Sequence, residues 1–128
     1  MEMLSGQDHE LLQYAADAIV KNYDGINRLH TVGGAVRCKN GKIYTGINVY
    51  DLHGTCAEII AMGQALTEGE REFTEIVAVR GEKGEEVISP CGNCRQMLLT
   101  YAPNCNVIIA TENGLRKIPA KELLPFPY

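Results

Sequence analysis

Residues 55–79 read TCAEIIAMGQALTEGEREFTEIVAV, and this stretch decides the fold class. From residue 55 to about residue 68, apolar side chains fall on nearly every side of a helix: Ala57, Ile59, Ile60, Ala61, Met62, Ala65 and Leu66. A helix apolar all round has to be buried rather than laid on a surface. Gly69 supplies its C-terminal stop. Residues 75–79 then read as a β-branched strand. A buried helix feeding a strand calls for a sheet to cover it, so the class is α/β.

Upstream, residues 31–38 and 42–49 are strand-like runs around Lys39-Asn40-Gly41, a short hairpin signal. Gly33-Gly34 inside the first run marks a bulge or a close approach by another element. Residues 8–23 carry apolar positions at helical spacing, with Asp8 as N-cap and Asp24-Gly25 as terminator. Downstream, residues 87–89 lead into Pro90, and a helix over 91–101 stops before Pro103. Residues 106–111 and 115–118 are strands joined by Asn113-Gly114, and a last helical turn follows Pro119. The expectation is a single three-layer α/β/α domain over residues 1–128 with a mixed five-stranded sheet.

Apolar residues make up 45% of the chain and charged ones 22%, and no stretch approaches the ~18 consecutive apolar residues of a membrane span. The start has neither a basic nor an apolar leader region, so it does not read as a signal peptide, and a cytoplasmic location is expected. Net charge is −4, with no long run of Lys or Arg. Nucleic acid binding needs a basic face for its phosphate contacts, so polynucleotides are excluded as partners. A small uncharged or cationic molecule suits this charge better.

Five cysteines cannot all pair. Cys91 and Cys94 form a C-x-x-C, and Cys56 lies about 35 residues upstream, each at an expected helix start. Helix N-termini favour thiolate over thiol. Three thiolates hold zinc and leave a fourth position for a water, whose pKa the metal lowers towards neutrality. Glu58 stands in the first turn after Cys56, where a carboxylate can shuttle protons. Three thiolates also leave a net negative centre, which Arg95 and the helix termini would offset. Other readings of these residues are a closed structural site with His53, Cys38 or Cys105 as fourth ligand, or a redox pair at Cys91/Cys94. Cys38 and Cys105 stand alone and read as buried, inert thiols.

Cys56-Ala57-Glu58, with Pro90-Cys91-Gly92-Asn93-Cys94-Arg95-Gln96, resembles the zinc signature of the cytidine deaminase superfamily. Thr31-Val-Gly-Gly-Ala, Asn40-Gly-Lys-Ile-Tyr-Thr-Gly and Ile47-Asn48-Val49 resemble the first hairpin of its small nucleoside-type members. The resemblance implies one Zn²⁺ per chain, a homotetramer, and a free nucleoside substrate. It implies that the residue matching Asn48 binds a sugar hydroxyl and that the backbone at Ala57 meets the pyrimidine O2. It further implies hydrolytic attack at C4 of a cytosine ring, with Glu58 moving the proton to N3 and to the leaving amino group. The carbonyl of Ser89 or Pro90 would accept from that amino group. Tyr50 stands where cytidine-acting members usually carry Glu, and Ile59 where they usually carry Arg. Asn48-Val49-Tyr50, Cys56-Ala-Glu-Ile and Lys121-Glu-Leu-Leu-Pro resemble the blasticidin S deaminases instead. A deaminase shifted to another aminated heterocycle is the alternative.

Overall fold

The computed structural model describes residues 1–128. The chain runs β1 (Glu2–Met3), α1 (Gly6–Val20), β2 (Val32–Cys38), β3 (Ile43–Ile47), α2 (Ala57–Thr67), β4 (Phe73–Arg80), β5 (Glu86–Ile88), α3 (Gly92–Tyr101), β6 (Asn106–Thr111) and β7 (Gly114–Pro119). A 3₁₀ turn, Ala120–Leu123, follows. One mixed sheet has the order β1-β7-β6-β4-β2-β3, with β5 pairing on β4. Only β4 and β6 are parallel, and α3 lies in the connection between them.

The sheet has seven strands where five were expected. The two extra ones, β1 and β5, are two and three residues long. Neither is long enough to display the alternation by which a strand is read from sequence. Helix α1 also differs from expectation at both ends. Its N-cap is Ser5, and Asp8 is the N3 partner of a capping box, with the helix ending at Val20.

Strand alternation sorts the core into two layers. Ala35, Val77 and Val79 pack with Leu11, Ala15 and Ile19 of α1 on one face. Val36 and Ile76 pack with Ala61, Met62 and Ala65 of α2 and Leu98 of α3 on the other. The α/β/α layering is therefore as expected. Each fully buried large aliphatic side chain contributes roughly 1.5–3 kcal/mol.

Gly33-Gly34 is a place of close approach on both faces. A Cβ on Gly33 would lie 2.2 Å from the carbonyl oxygen of Ala15, and one on Gly34 would lie 3.0 Å from the carbonyl of Ala57. The bulge in β2 lies elsewhere, at Arg37/Cys38. Across the sheet Gly34 pairs with Gly46 of β3 and with Ala78 of β4. A Cβ on Gly46 would lie 2.6 Å from the Ala61 nitrogen. This row of small residues lets the first turns of α2 rest directly on the strand backbones.

Candidate active site

Two helix starts carry the site. Cys56 is the N-cap of α2 and Cys91 the N-cap of α3, both with extended backbone, and Cys94 sits in the first turn of α3. Neither N-cap side chain makes a capping hydrogen bond, so both sulfurs remain available. The three sulfurs lie within 4.8 Å of one another, and those of Cys56 and Cys91 are 3.4 Å apart. Sulfurs about 2.3 Å from a tetrahedral metal are separated by about 3.8 Å, so a cluster this tight can close on one ion with small adjustments. No fourth Cys, His, Asp or Glu joins the group. The donor set is that of an open zinc site rather than a closed one.

Without a cation two of the three thiols, Cys56 and Cys94, resist ionisation. Burial raises Cys56 to about 11, and the neighbouring sulfur of Cys91 adds to the rise. Burial also raises Cys94, as do Glu58, Cys56 and Cys91. Burial alone would raise Cys91, yet its thiol lies below the ordinary value because the amides and thiols around it favour the thiolate. A divalent cation between the three reverses this balance. Cys38 and Cys105 are buried apart from the cluster, and burial raises both thiols, Cys38 to about 11.

Glu58, the second residue of α2, is only 5% exposed. Burial pushes its carboxyl above the ordinary range. A cavity of about 470 Å³ opens beside it, lined by Cys56, Ala57, Glu58 and Cys91 among others. Asn48, Tyr50, Asp51, His53, Ile88 and Ser89 also line it. The lining contains no Lys or Arg.

The substrate-contact residues expected from sequence fall into two groups. Asn48, Tyr50, Ala57 and Ser89 line the cavity, whereas Pro90 does not and is buried. The Pro90 carbonyl already accepts from Nε of Arg95 at 2.8 Å, while Nη1 of Arg95 donates to the Leu123 carbonyl at 3.0 Å. Arg95 therefore makes its hydrogen bonds to two carbonyls and none to a sulfur. Ile59, half-buried, brings no charge. Asn48 accepts on Oδ1 from the N–H groups of Thr31 and Val32, at 2.8 and 3.0 Å. Its Nδ2 is left as a donor on the cavity wall.

Residues 5–111 match the family model described as the cytidine and deoxycytidylate deaminase zinc-binding region. The chain belongs to this family. With its three-cysteine group placed for the metal, this chain is a zinc-dependent deaminase, a hydrolase of a C–N bond. It is 38% identical to blasticidin-S deaminase of Bacillus cereus, over 98% of this chain and 94% of that protein. It is 34% identical to a cytidine deaminase of Halalkalibacterium halodurans, over 73% of this chain and 74% of that one. The fold matches the crystal structure of cytidine deaminase from Burkholderia pseudomallei with a TM-score of 0.78 and 30% identity, covering 98% of this chain and 100% of that one.

Sequence reasoning missed His30, whose Nδ1 lies 2.8 Å from the Asn48 carbonyl. It also missed Val32, Asp51 and Ile88 on the cavity wall. The hairpin turn was the available signal for the first two of these. Pairing outward from Lys39-Asn40-Gly41 brings residues 30–32 opposite residues 48–50.

Proposed function

We propose that this deaminase removes the exocyclic amino group from the cytosine ring of a free nucleoside or nucleoside analogue, of the cytidine, deoxycytidine or blasticidin S type. The observation that carries this reading is the cavity, which joins Cys56 and Cys91 of the three-sulfur cluster and Glu58 to the Asn48 donor without one Lys or Arg in its lining. A nucleotide phosphate would call for a cationic side chain there. An uncharged sugar does not, and Asp51 on the wall suits a cationic extension.

Cys56, Cys91 and Cys94 would hold zinc, which would supply a Lewis acid to activate a water for attack at ring C4. Glu58 takes the proton of that water and delivers it to N3. The carboxylate, once its proton has gone to N3, takes the proton of the new C4 hydroxyl. It delivers that proton to the departing amino group as the C4–N bond breaks and C4=O forms, so ammonia and a uracil-type product leave. The amide of Ala57, at the free N-terminus of α2, donates to ring O2. With the Pro90 carbonyl held by Arg95, Ser89 is the acceptor for the amino group. Arg95, one residue beyond Cys94, and the two helix N-termini offset the thiolate charge.

Tyr50, 67% exposed at the cavity wall, supports a second reading. It replaces the carboxylate usual in cytidine-acting members, which favours another aminated heterocycle, whereas the full-length similarity to blasticidin-S deaminase supports the analogue within the first reading. Ammonia release from cytidine, deoxycytidine, deoxycytidylate, blasticidin S and guanine, at one zinc per chain, tests both readings. Turnover of a cytosine nucleoside or of blasticidin S is expected; activity confined to guanine or deoxycytidylate would overturn the first reading.

Further parts of the proposal concern the whole chain. Residues 1–128 act as one catalytic unit. Assembly into a homotetramer is proposed from the family resemblance, with exposed apolar side chains such as Ile26, Leu52, Phe126 and Tyr128 available to it. No helix is long and apolar enough to cross a membrane. Five unpaired cysteines suit the reducing cytoplasm.

A further inference from the structure

Asn48 has four hydrogen-bonding groups in its backbone and side chain, and residues 30–32 hold three of them. Its N–H donates to the Val32 carbonyl at 3.1 Å. Its Oδ1 accepts from the N–H groups of Thr31 and Val32. Its carbonyl faces His30 Nδ1 at 2.8 Å. Two backbone donors on one side-chain oxygen settle which end of the amide is nitrogen. Nδ2 is the remaining group, on a residue that lines the cavity.

Three of these four bonds use backbone atoms of residues 31 and 32, so they form with almost any side chain there. The His30 bond is the one that depends on a side chain outside Asn48. His30 is itself fixed from behind, because its carbonyl accepts from the Asp24 N–H at 2.9 Å. Asp24 Oδ1 in turn accepts from the N–H groups of Ile26 and Asn27. The imidazole therefore sits at the end of a built turn.

We propose that His30 is a positioning residue for substrate binding. It donates Nδ1–H to the Asn48 carbonyl and so holds the Asn48 amide with Nδ2 presented to a substrate hydroxyl. This rests on the reading that Asn48 contacts the substrate. A carbonyl only accepts, so the neutral ring carries its proton on Nδ1. His30 does not line the cavity, and its effect falls on KM rather than on kcat.

The test compares His30→Phe, His30→Gln and His30→Asn with Asn48→Ala, using cytidine and blasticidin S as substrates. An asparagine places its amide nitrogen near the position of imidazole Nδ1; a glutamine reaches towards Nε2. His30→Phe and His30→Gln are expected to raise KM about two- to tenfold, the range for one uncharged hydrogen bond, with kcat within about twofold and zinc content unchanged. His30→Asn should stay within about twofold of the wild type. A wild-type KM in His30→Phe beside a raised KM in Asn48→Ala overturns the proposal for His30 alone. A wild-type KM in Asn48→Ala removes the contact through which His30 would act, and overturns both readings. Imidazole ¹⁵N shifts of the wild-type protein give a readout that needs neither a variant nor turnover. They are expected to show the Nδ1–H tautomer, and an Nε2–H tautomer overturns the proposal.

Discussion

Glu58 shows how little sequence is needed to place a reactive group once the helix start is known. Cys56 caps α2, so a residue two positions on lies in the same first turn and faces the same cavity. Replacing Glu58 by Gln keeps the shape and removes the proton carrier. Glu58→Gln is expected to retain zinc while kcat falls by at least about 10²-fold, as ammonia release and metal content will show. Near-normal turnover would remove Glu58 from the mechanism. Arg95 was equally visible in the sequence, but its partners were not. Its bonds to the carbonyls of Pro90 and Leu123 join residues five and 28 positions away, the second through a tertiary contact. Arg95→Met leaves both carbonyls without that donor. A loss of about 1–3 kcal/mol is expected in denaturant unfolding, with faster surrender of zinc to a chelator. Unchanged chelation kinetics would detach Arg95 from the metal loop.

Among the elements, α2 owes its position to the absence of side chains beneath it. The buried character of α2 was legible from its apolar residues, whereas the pairing of Gly34 with Gly46 depends on hairpin register. A Cβ at Gly46 would meet backbone, the Ala61 nitrogen at 2.6 Å, so neither partner can rotate aside. Gly46→Ala is expected to cost about 1–3 kcal/mol and to weaken zinc binding, since α2 carries Cys56. Helix α1 offers a contrast in charge. Asp8 is 1% exposed, capped into Ser5, and its Oδ2 lies 3.0 Å from Lys117 Nζ. Burial would raise its carboxyl, but Ser5 and Lys117 outweigh that and hold it below the ordinary value. Burial would likewise lower Lys117, but Asp8 outweighs that and raises it. A depressed carboxyl stabilises the fold fully above its unfolded pKa of about 3.9, and the gain is lost as pH falls through the folded value. The raised lysine contributes below about 10.4 and loses its share as pH climbs through its folded value. Asp8→Asn should therefore cost about 1–3 kcal/mol at pH 7, and much less well below pH 3.9, in urea unfolding. An equal cost at both pH values would assign the loss to the cap rather than to the charge.

Over the whole molecule, the layering and five of the seven strands were legible because each has either a helical or an alternating apolar pattern. The short strands β1 and β5 have none; they exist because neighbouring strands offer free edges. The same contrast holds for the site. Its ligands are spelled locally, at two helix starts, but their meeting is a consequence of the sheet. Cys56 precedes β4, and Cys91 and Cys94 follow β5, which pairs with β4. A metal held by all three sulfurs therefore ties the start of α2 to the start of α3. Helix α1 lies on the opposite face, away from that tie. A ligand that binds only the folded state adds stability as RT ln(1 + [L]/Kd), about 4 kcal/mol at a thousandfold excess over Kd. Stripping zinc with a chelator is expected to lower Tm by several degrees, and re-addition should restore it. Hydrogen exchange should locate the loss in the first turns of α2 and α3, leaving α1 protected as in the metal-loaded protein. Uniform loss of protection over all three helices would mean that the metal holds the entire fold together rather than the junction of two helices.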